Sequence, residues 1–464
     1  MNNSLRRTIY RLALTCALAA SGAATTAAAQ STQPSAPAKP VTLITNARIF
    51  DGRSDALTAP MSVLVDGNVI ARIAPRIDAP AGATVIDAGG RTMTPGFIDA
   101  HYHMTLQLSP LLAIGSDEYY HAFNAVPMAR STLARGFTTV RDVSGNTFSL
   151  KRAIDRGLIV GPRIYPSGPM ISQTSGHADA RMASERSPAQ GGRYSPLMEL
   201  GYNAVADGVP EVLKATRENL RRGASQIKIA VGGGTGSESD PLDVSEFTSE
   251  EIRAAVQAAG DWNTYVTAHV YTINGIRRAI DNGVKCIEHG QLMDEATMRL
   301  MKDKGIWWSP QVSIFTFIPK GYTADQKRKH EQAFSGLDAA FRTAKKIGFD
   351  RIAFGTDIVT DPDAFNAANE EFVHRLKWFT PAEILRQATY TNAQLLAMSG
   401  PRNPFPGKLG VIAEGAIADL LLINGNPLQD ISILIDYRKN IALIMKDGVI
   451  YKDLIGDNEV NLGL

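Results

Sequence analysis

The stretch Pro95-Gly96-Phe97-Ile98-Asp99-Ala100-His101-Tyr102-His103 reads as an apolar β-strand that ends in H-x-H. Side chains alternate between the two faces of a strand, so His101 and His103 point the same way and Tyr102 the other. Two imidazoles are thereby aimed at one region of space. The competing reading of this stretch alone is two core histidines, each satisfied separately, and that reading must also account for the rest of the chain.

Four more residues stand in comparable places. Lys228 lies inside Gln226-Ile227-Lys228-Ile229-Ala230, His269 ends Tyr265-Val266-Thr267-Ala268-His269, His289 ends Cys286-Ile287-Glu288-His289, and Asp357 ends Ile352-Ala353-Phe354-Gly355-Thr356-Asp357. Short apolar runs of this kind suit parallel strands covered by helices, and in a barrel of such units the reactive residues come from the C-terminal ends of several strands. Runs at Phe137-Thr138-Thr139-Val140-Arg141-Asp142, Arg163-Ile164-Tyr165-Pro166 and Ile306-Trp307-Trp308-Ser309 bring the expected strands to eight. Helical patterns separate them. After His269, for example, Ile273, Ile276 and Ile280 share a face, Thr272 offers an N-cap and Gly283 a stop. The expected fold class is α/β, a (β/α)8 TIM-like barrel over residues 93–400.

Both ends of the chain are strand-rich. Val41-Thr42-Leu43-Ile44, Ser62-Val63-Leu64-Val65, the turn Asp66-Gly67-Asn68 and Val69-Ile70-Ala71-Arg72-Ile73 read as strands and a hairpin, and Asp419-Leu420-Leu421-Leu422-Ile423, Ile441-Ala442-Leu443-Ile444-Met445 and Val449-Ile450-Tyr451 repeat the pattern. A small β-sandwich domain built from 41–92 and 401–464, with the barrel inserted between its halves, is the expected organisation.

The 464 residues are 44% hydrophobic and 20% charged, an ordinary globular balance with material for a large core. A net charge of +2, without a basic block interleaved with aromatics, argues against nucleic acid as a partner. Residues 1–29 read as an export signal: Arg6, Arg7 and Arg11, an apolar stretch from Leu12 to Ala20, then Ala27-Ala28-Ala29 before Gln30. Residues 30–40, with Pro34, Pro37 and Pro40, read as a disordered leader. No segment approaches the roughly 18 consecutive apolar residues of a membrane span, so the expectation is an exported protein, periplasmic or secreted, that does not span a membrane. Of two cysteines only Cys286 lies beyond the signal, which leaves no intramolecular disulfide.

Imidazole and carboxylate suit zinc, and two such ions close together polarise a carbonyl and generate a hydroxide nucleophile near neutral pH. A lysine among them needs explaining. An ammonium would be repelled by two dications, whereas a desolvated neutral amine captures carbon dioxide as a carbamate, an anion with two oxygens able to bridge two metals. The alternative for Lys228 is a snorkelling barrel lysine.

With these motifs together, H-x-H, Gln-Ile-Lys-Ile, Thr-Ala-His, Ile-Glu-His-Gly and Gly-Thr-Asp, the chain resembles the amidohydrolase superfamily, and within it the prolidase-like and ochratoxin-hydrolysing enzymes. The resemblance runs from about Val41 to the C-terminal strands. It implies that His101, His103 and Asp357 hold one zinc ion, that His269 and His289 hold the other, and that carboxylated Lys228 bridges them. It also implies that Asp357 takes a proton from the attacking hydroxide and delivers it to the leaving amine. Gly176-His177-Ala178-Asp179 resembles a family motif whose histidine contacts the scissile carbonyl, although Ala178 stands where glycine is common; His177 would then stabilise the oxyanion, against the alternative of a surface-loop histidine.

The activity implied is release of a C-terminal amino acid from small-molecule amides, N-acyl amino acids or dipeptides, ochratoxin A among them. The rivals are a cyclic amidase of the imidazolonepropionase or dihydroorotase type and a metal-free structural relative. A homo-oligomer, an octamer, is implied by the same resemblance. Gly232-Gly233-Gly234-Thr235-Gly236 lacks a following Gly-Lys-Ser/Thr and reads as an active-site loop rather than a phosphate cradle. Tyr271 and Arg141 are open between substrate contact and structure. Glu288 is expected to point away from His289 and not to ligate, and His121, His330 and His374 are read as helix or surface residues.

Overall fold

The computed structural model describes residues 40–455, so the export signal and nearly all of the leader lie outside the described residues. The fold is mixed α/β, with three sheets. Both chain ends meet in one sheet of eight strands, in which the N-terminal hairpin Pro60–Asp66/Val69–Ala74 and the C-terminal strands Leu420–Ile423, Ile441–Lys446 and Val449–Asp453 flank the strands Val41–Ile49 and Thr92–Pro95. The first strand bends at Asn46, whose φ is +54°, and changes neighbour there: Thr42 to Thr45 pair with Thr84–Asp87, and Arg48 and Ile49 with Thr92 and Met93. The sequence reading assigns these N- and C-terminal segments to one β-sandwich domain. A single sheet carries them, where the sequence reading has two facing ones.

The central strands are parallel and buried along their length, as the unbroken apolar runs require. Phe97–Tyr102, Phe137–Asp142 and Arg163–Pro166 form one sheet, and Met170–Ser172, Asn203–Val205, Ile227–Ala230, Val266–Thr272, Cys286–Leu292 and Trp307–Ser309 another. Helices lie between, among them Ile273–Asp281 with Thr272 at its N-cap and Gly283 just beyond its end at φ +97°. Their apolar faces pack on the strands around Ile229, Val266, Ile287, Trp308 and Phe341.

The two central sheets do not close into one continuous ladder. Between Arg163–Pro166 and Ile227–Ala230 the backbone bridge is the bond from Ser225 N–H to Pro166 O (2.8 Å), and the Gln226 side chain supplements it by donating to Tyr165 O (2.9 Å) and Asp142 O (3.2 Å). On the other side, residues 352–357 are not a ladder strand. They are held by separate bonds: Ala353 N–H to Trp308 O (2.8 Å), Ala100 N–H to Phe354 O (2.9 Å) and Asp357 N–H to His101 O (2.9 Å). The left-handed backbone at Asp357 (φ +53°) ends regular pairing and turns its carboxylate towards the histidines. Among the described residues no helix is long and apolar enough to cross a membrane.

Candidate metal centre and active site

His101 sits in the strand Phe97–Tyr102 and His103 one residue beyond it, and the shared face expected of H-x-H is realised: their rings lie 5.2 Å apart. Both aim Nε2 at the same oxygen, Asp357 Oδ1, at 3.2 Å and 3.0 Å. The candidate ligand atoms of His101, His103 and Asp357 all lie within 4.8 Å of one another. His289 joins them, its ring 5.0 Å from that of His101 and 4.4 Å from that of His269, and Lys228 is buried in the adjacent strand. The site residues read from the sequence are thus brought into one cluster, with His177 stacked on His269 at 3.9 Å and 11°.

The rings of His101, His289 and His103 are oriented from behind. His101 Nδ1 donates to Glu288 Oε2 (2.7 Å), His289 Nδ1 to Gln311 Oε1 (2.7 Å), and His103 Nδ1 faces Ser144 O at 3.4 Å. A proton held on Nδ1 leaves the Nε2 lone pair for a ligand bond, the arrangement by which outer groups set metal-binding histidines. His269 Nε2 is buried with no hydrogen-bond partner. An orphaned ring nitrogen beside two imidazoles and a carboxylate is a donor set that fits a divalent ion of the zinc class.

The electrostatics agree with that fit. Burial holds His269 and His289 well below the usual histidine range, so both are neutral and able to ligate. Burial also pushes the Lys228 amine below its ordinary value, against the pull of Glu288 and Asp357, which favours the uncharged nucleophilic form. Asp357 remains a carboxylate: burial opposes its charge, but His101 and the hydrogen bonds from His101 and His103 hold it well below the usual range.

Glu288 corrects the expectation drawn for it. Parity along Cys286–Leu292 would put Glu288 and His289 on opposite faces, yet both serve the cluster, because His289 adopts φ +66° and Gly290 φ +67° and the alternation breaks there. Glu288 faces inward opposite His269, in register with it, and accepts from His101, Thr267 and Arg141 Nη2 (2.6 Å). Arg141 is therefore structural: fully buried, it also donates from Nε to Ala100 O (2.6 Å), behind the H-x-H. Tyr271 stacks on His289 at 4.9 Å and 11°.

His177 is half-buried, not a surface-loop residue, and its Nδ1 lies 2.8 Å from Ser237 Oγ and 3.3 Å from Asp240 Oδ2. The glycine run forms the loop over it. A Cβ on Gly234 would fall 1.9 Å from His177 Nδ1, so only glycine fits. His121 and His330 lie buried in the helices Glu118–Ala134 and Ala324–Ile347, and His374 ends Glu370–His374. Sequence reasoning overlooked Gln311 and Asp240. Both lie in loops with no periodic signal, and only a contact identifies them.

Comparison with known proteins agrees with this geometry. A model of the amidohydrolase family matches residues 92–453. Ochratoxinase from Aspergillus niger is 31% identical over 436 residues, which span 89% of this chain and 87% of that protein. Among solved structures, a prolidase complexed with N-methylphosphonate-L-proline superposes with a TM-score of 0.82 at 33% identity, covering 89% of this chain and 100% of the other. A Xaa-Pro dipeptidase with methionine in its active site gives 0.77 at 33% identity, over 89% and 99% of the two chains. These neighbours support hydrolysis of amide bonds, and with its buried cluster of histidines, lysine and aspartate the chain belongs to the amidohydrolase family.

Proposed function

We propose that this chain is an exported binuclear zinc amidohydrolase, barrel-based and homo-oligomeric, that releases a C-terminal amino acid from N-acyl amino acids or dipeptides, ochratoxin A being one such amide. The observation that carries the reading is the convergence of His101, His103 and Asp357 within 4.8 Å, beside buried Lys228, His269 and His289. His101, His103 and Asp357 would hold one ion and His269 and His289 the second, with Lys228, whose ammonium form burial disfavours, carrying a bridging carbamate. When bound, two such ions supply Lewis acidity towards the amide carbonyl and a nucleophile from water near neutral pH.

The remaining steps belong to the chain. Asp357, ionised at the end of residues 352–357, would accept the proton of the attacking water and return it to the departing amine nitrogen. His177 offers its free ring edge to the carbonyl oxygen as charge develops there. Glu288 and Gln311 hold His101 and His289 from turning, which preserves ligand geometry through the cycle.

The test is a substrate panel followed by mass spectrometry. Ochratoxin A and aromatic N-acyl amino acids should each yield two fragments, with phenylalanine released stoichiometrically where it is the C-terminal residue. Dihydroorotate, hydantoin and imidazolonepropionate should remain intact. Opening of one of those rings with every acyclic amide untouched would leave the site standing and overturn the substrate class.

A further inference from the structure

His177 enters the reading above through a single ring edge, and something must decide which edge that is. A loop histidine with two similar nitrogens and a free χ2 has no intrinsic preference. Stacking on His269 fixes the ring plane but leaves rotation within that plane. The deciding contacts are all on Nδ1, with Ser237 Oγ at 2.8 Å and Asp240 Oδ2 at 3.3 Å, and Nε2 has no protein partner among the described residues.

Asp240 is itself built into place. It is fully buried, its Oδ2 accepts from Gly234 N–H (2.5 Å), and its backbone carbonyl is pinned by Lys329 Nζ (3.0 Å), which also binds Ser237 O (2.6 Å). Lys329 belongs to the long helix Ala324–Ile347, so a rigid element anchors the loop that holds the histidine. A buried carboxylate otherwise needs compensation, and Asp240 has a second oxygen, Oδ1, with no hydrogen-bond partner among the described residues. Burial opposes ionisation of Asp240, yet the hydrogen bond with His177 holds it below its ordinary value. Its neighbour Glu246, which accepts from His177 N–H (2.9 Å), is pushed up to about 8 by burial and by the Asp240 charge. The two carboxyls thus divide into one charged group at the ring and one neutral group at the backbone.

We propose that Asp240 is a positioning residue for His177: by accepting from Nδ1–H it locks the ring over His269 with the Nε2 edge presented to the substrate carbonyl. The inference rests on the oxyanion reading of His177. It gives the buried aspartate and the Lys329 anchor a part in turnover that packing alone does not require.

Asp240→Asn tests it, since Asn retains the shape and can still accept from Gly234 N–H. In the zinc-loaded enzyme, with ochratoxin A or an aromatic N-acyl amino acid as substrate, kcat should fall on the order of 10–100-fold with KM and bound metal little changed. The same substitution added to His177→Ala should cost nothing further. A downfield Nδ1–H proton resonance, identified by its absence from His177→Ala, should shift or vanish in Asp240→Asn, and this readout needs no substrate. An equal loss of kcat in both backgrounds, no loss at all, or an unmoved resonance would overturn the proposal. Full turnover in His177→Ala would instead overturn the oxyanion reading, and the resonance would still decide the Asp240 bond.

Discussion

Glu288 shows how one residue can carry a site without touching substrate. Its carboxylate is fully buried between Arg141 and His101, and although burial opposes its charge, the Arg141 guanidinium and the contact with His101 hold it well below the usual glutamate range. The pair with Arg141 is closed to solvent on both sides, so removing one charge strands the other. Glu288→Gln should therefore lower stability by about 3–5 kcal/mol, the cost typical of breaking a buried pair. It should also loosen His101. Calorimetric melting checks the first effect and metal content after dialysis the second; an unchanged melting temperature would contradict the account. The same reasoning explains why Glu288 is misread from sequence. A neighbour of His289 reads as facing away, and the positive φ at His289 that defeats this parity comes from the packed strand end.

Among the elements, the terminal sheet carries two lysines that a surface reading would leave in water. Lys446, in Ile441–Lys446, donates to Gly161 O (2.7 Å), and Lys452, in Val449–Asp453, donates to Tyr437 O (3.1 Å) and Arg438 O (2.7 Å). Burial, followed by the charge of Arg163, brings Lys446 down to about 8 from an ordinary 10.5. The unfolded chain thus binds the proton more tightly than the folded one, and below the folded value the charged amine costs stability. As pH rises from about 8 towards 10.5 the folded state sheds that proton first, so stability rises across this window. Lys446→Met lacks the effect. Its melting temperature relative to wild type should be highest near neutral pH and lose ground as pH climbs through the window; parallel curves would exclude a buried amine.

The whole molecule gathers its donors from both sides of the central strands, with His101 and His103 on one sheet, Lys228, His269 and His289 on another, and Asp357 on the segment between them. An ion bound by this set joins parts of the chain that hydrogen-bond to one another only sparsely. Binding to the folded form alone stabilises it by about 2.7 kcal/mol when the free ion is 100-fold above its Kd. Chelation should accordingly abolish hydrolysis and lower the melting temperature by several degrees, and added zinc should reverse both. Lys228→Ala, which cannot supply a bridging anion, should recover little of either. Equal recovery in that variant would remove the carbamate from the site.

The alternating patterns of the two ends, the apolar runs of the middle and the residues that close them are local properties, written in spacing of two along strands and of three to four along helices. They single out His101, His103, Lys228, His269, His289 and Asp357 as residues in or beside short apolar runs, although in the structure the strands of His269 and His289 run on to Thr272 and Leu292 and Asp357 lies outside any ladder strand. The arrangement behind them is not local. That Glu288 rather than solvent backs His101, that Gln311 sets His289, that Asp240 reaches His177 and that residues 352–357 join their neighbours by single bonds all depend on cross-strand register and on left-handed backbone at His289 and Asp357. Register is settled by the summed packing of many side chains, and a loop contact by where two distant segments come to rest. Neither leaves a periodic trace in the chain, so the sequence by itself determined which residues could act, and the tertiary structure decided which others hold them in place.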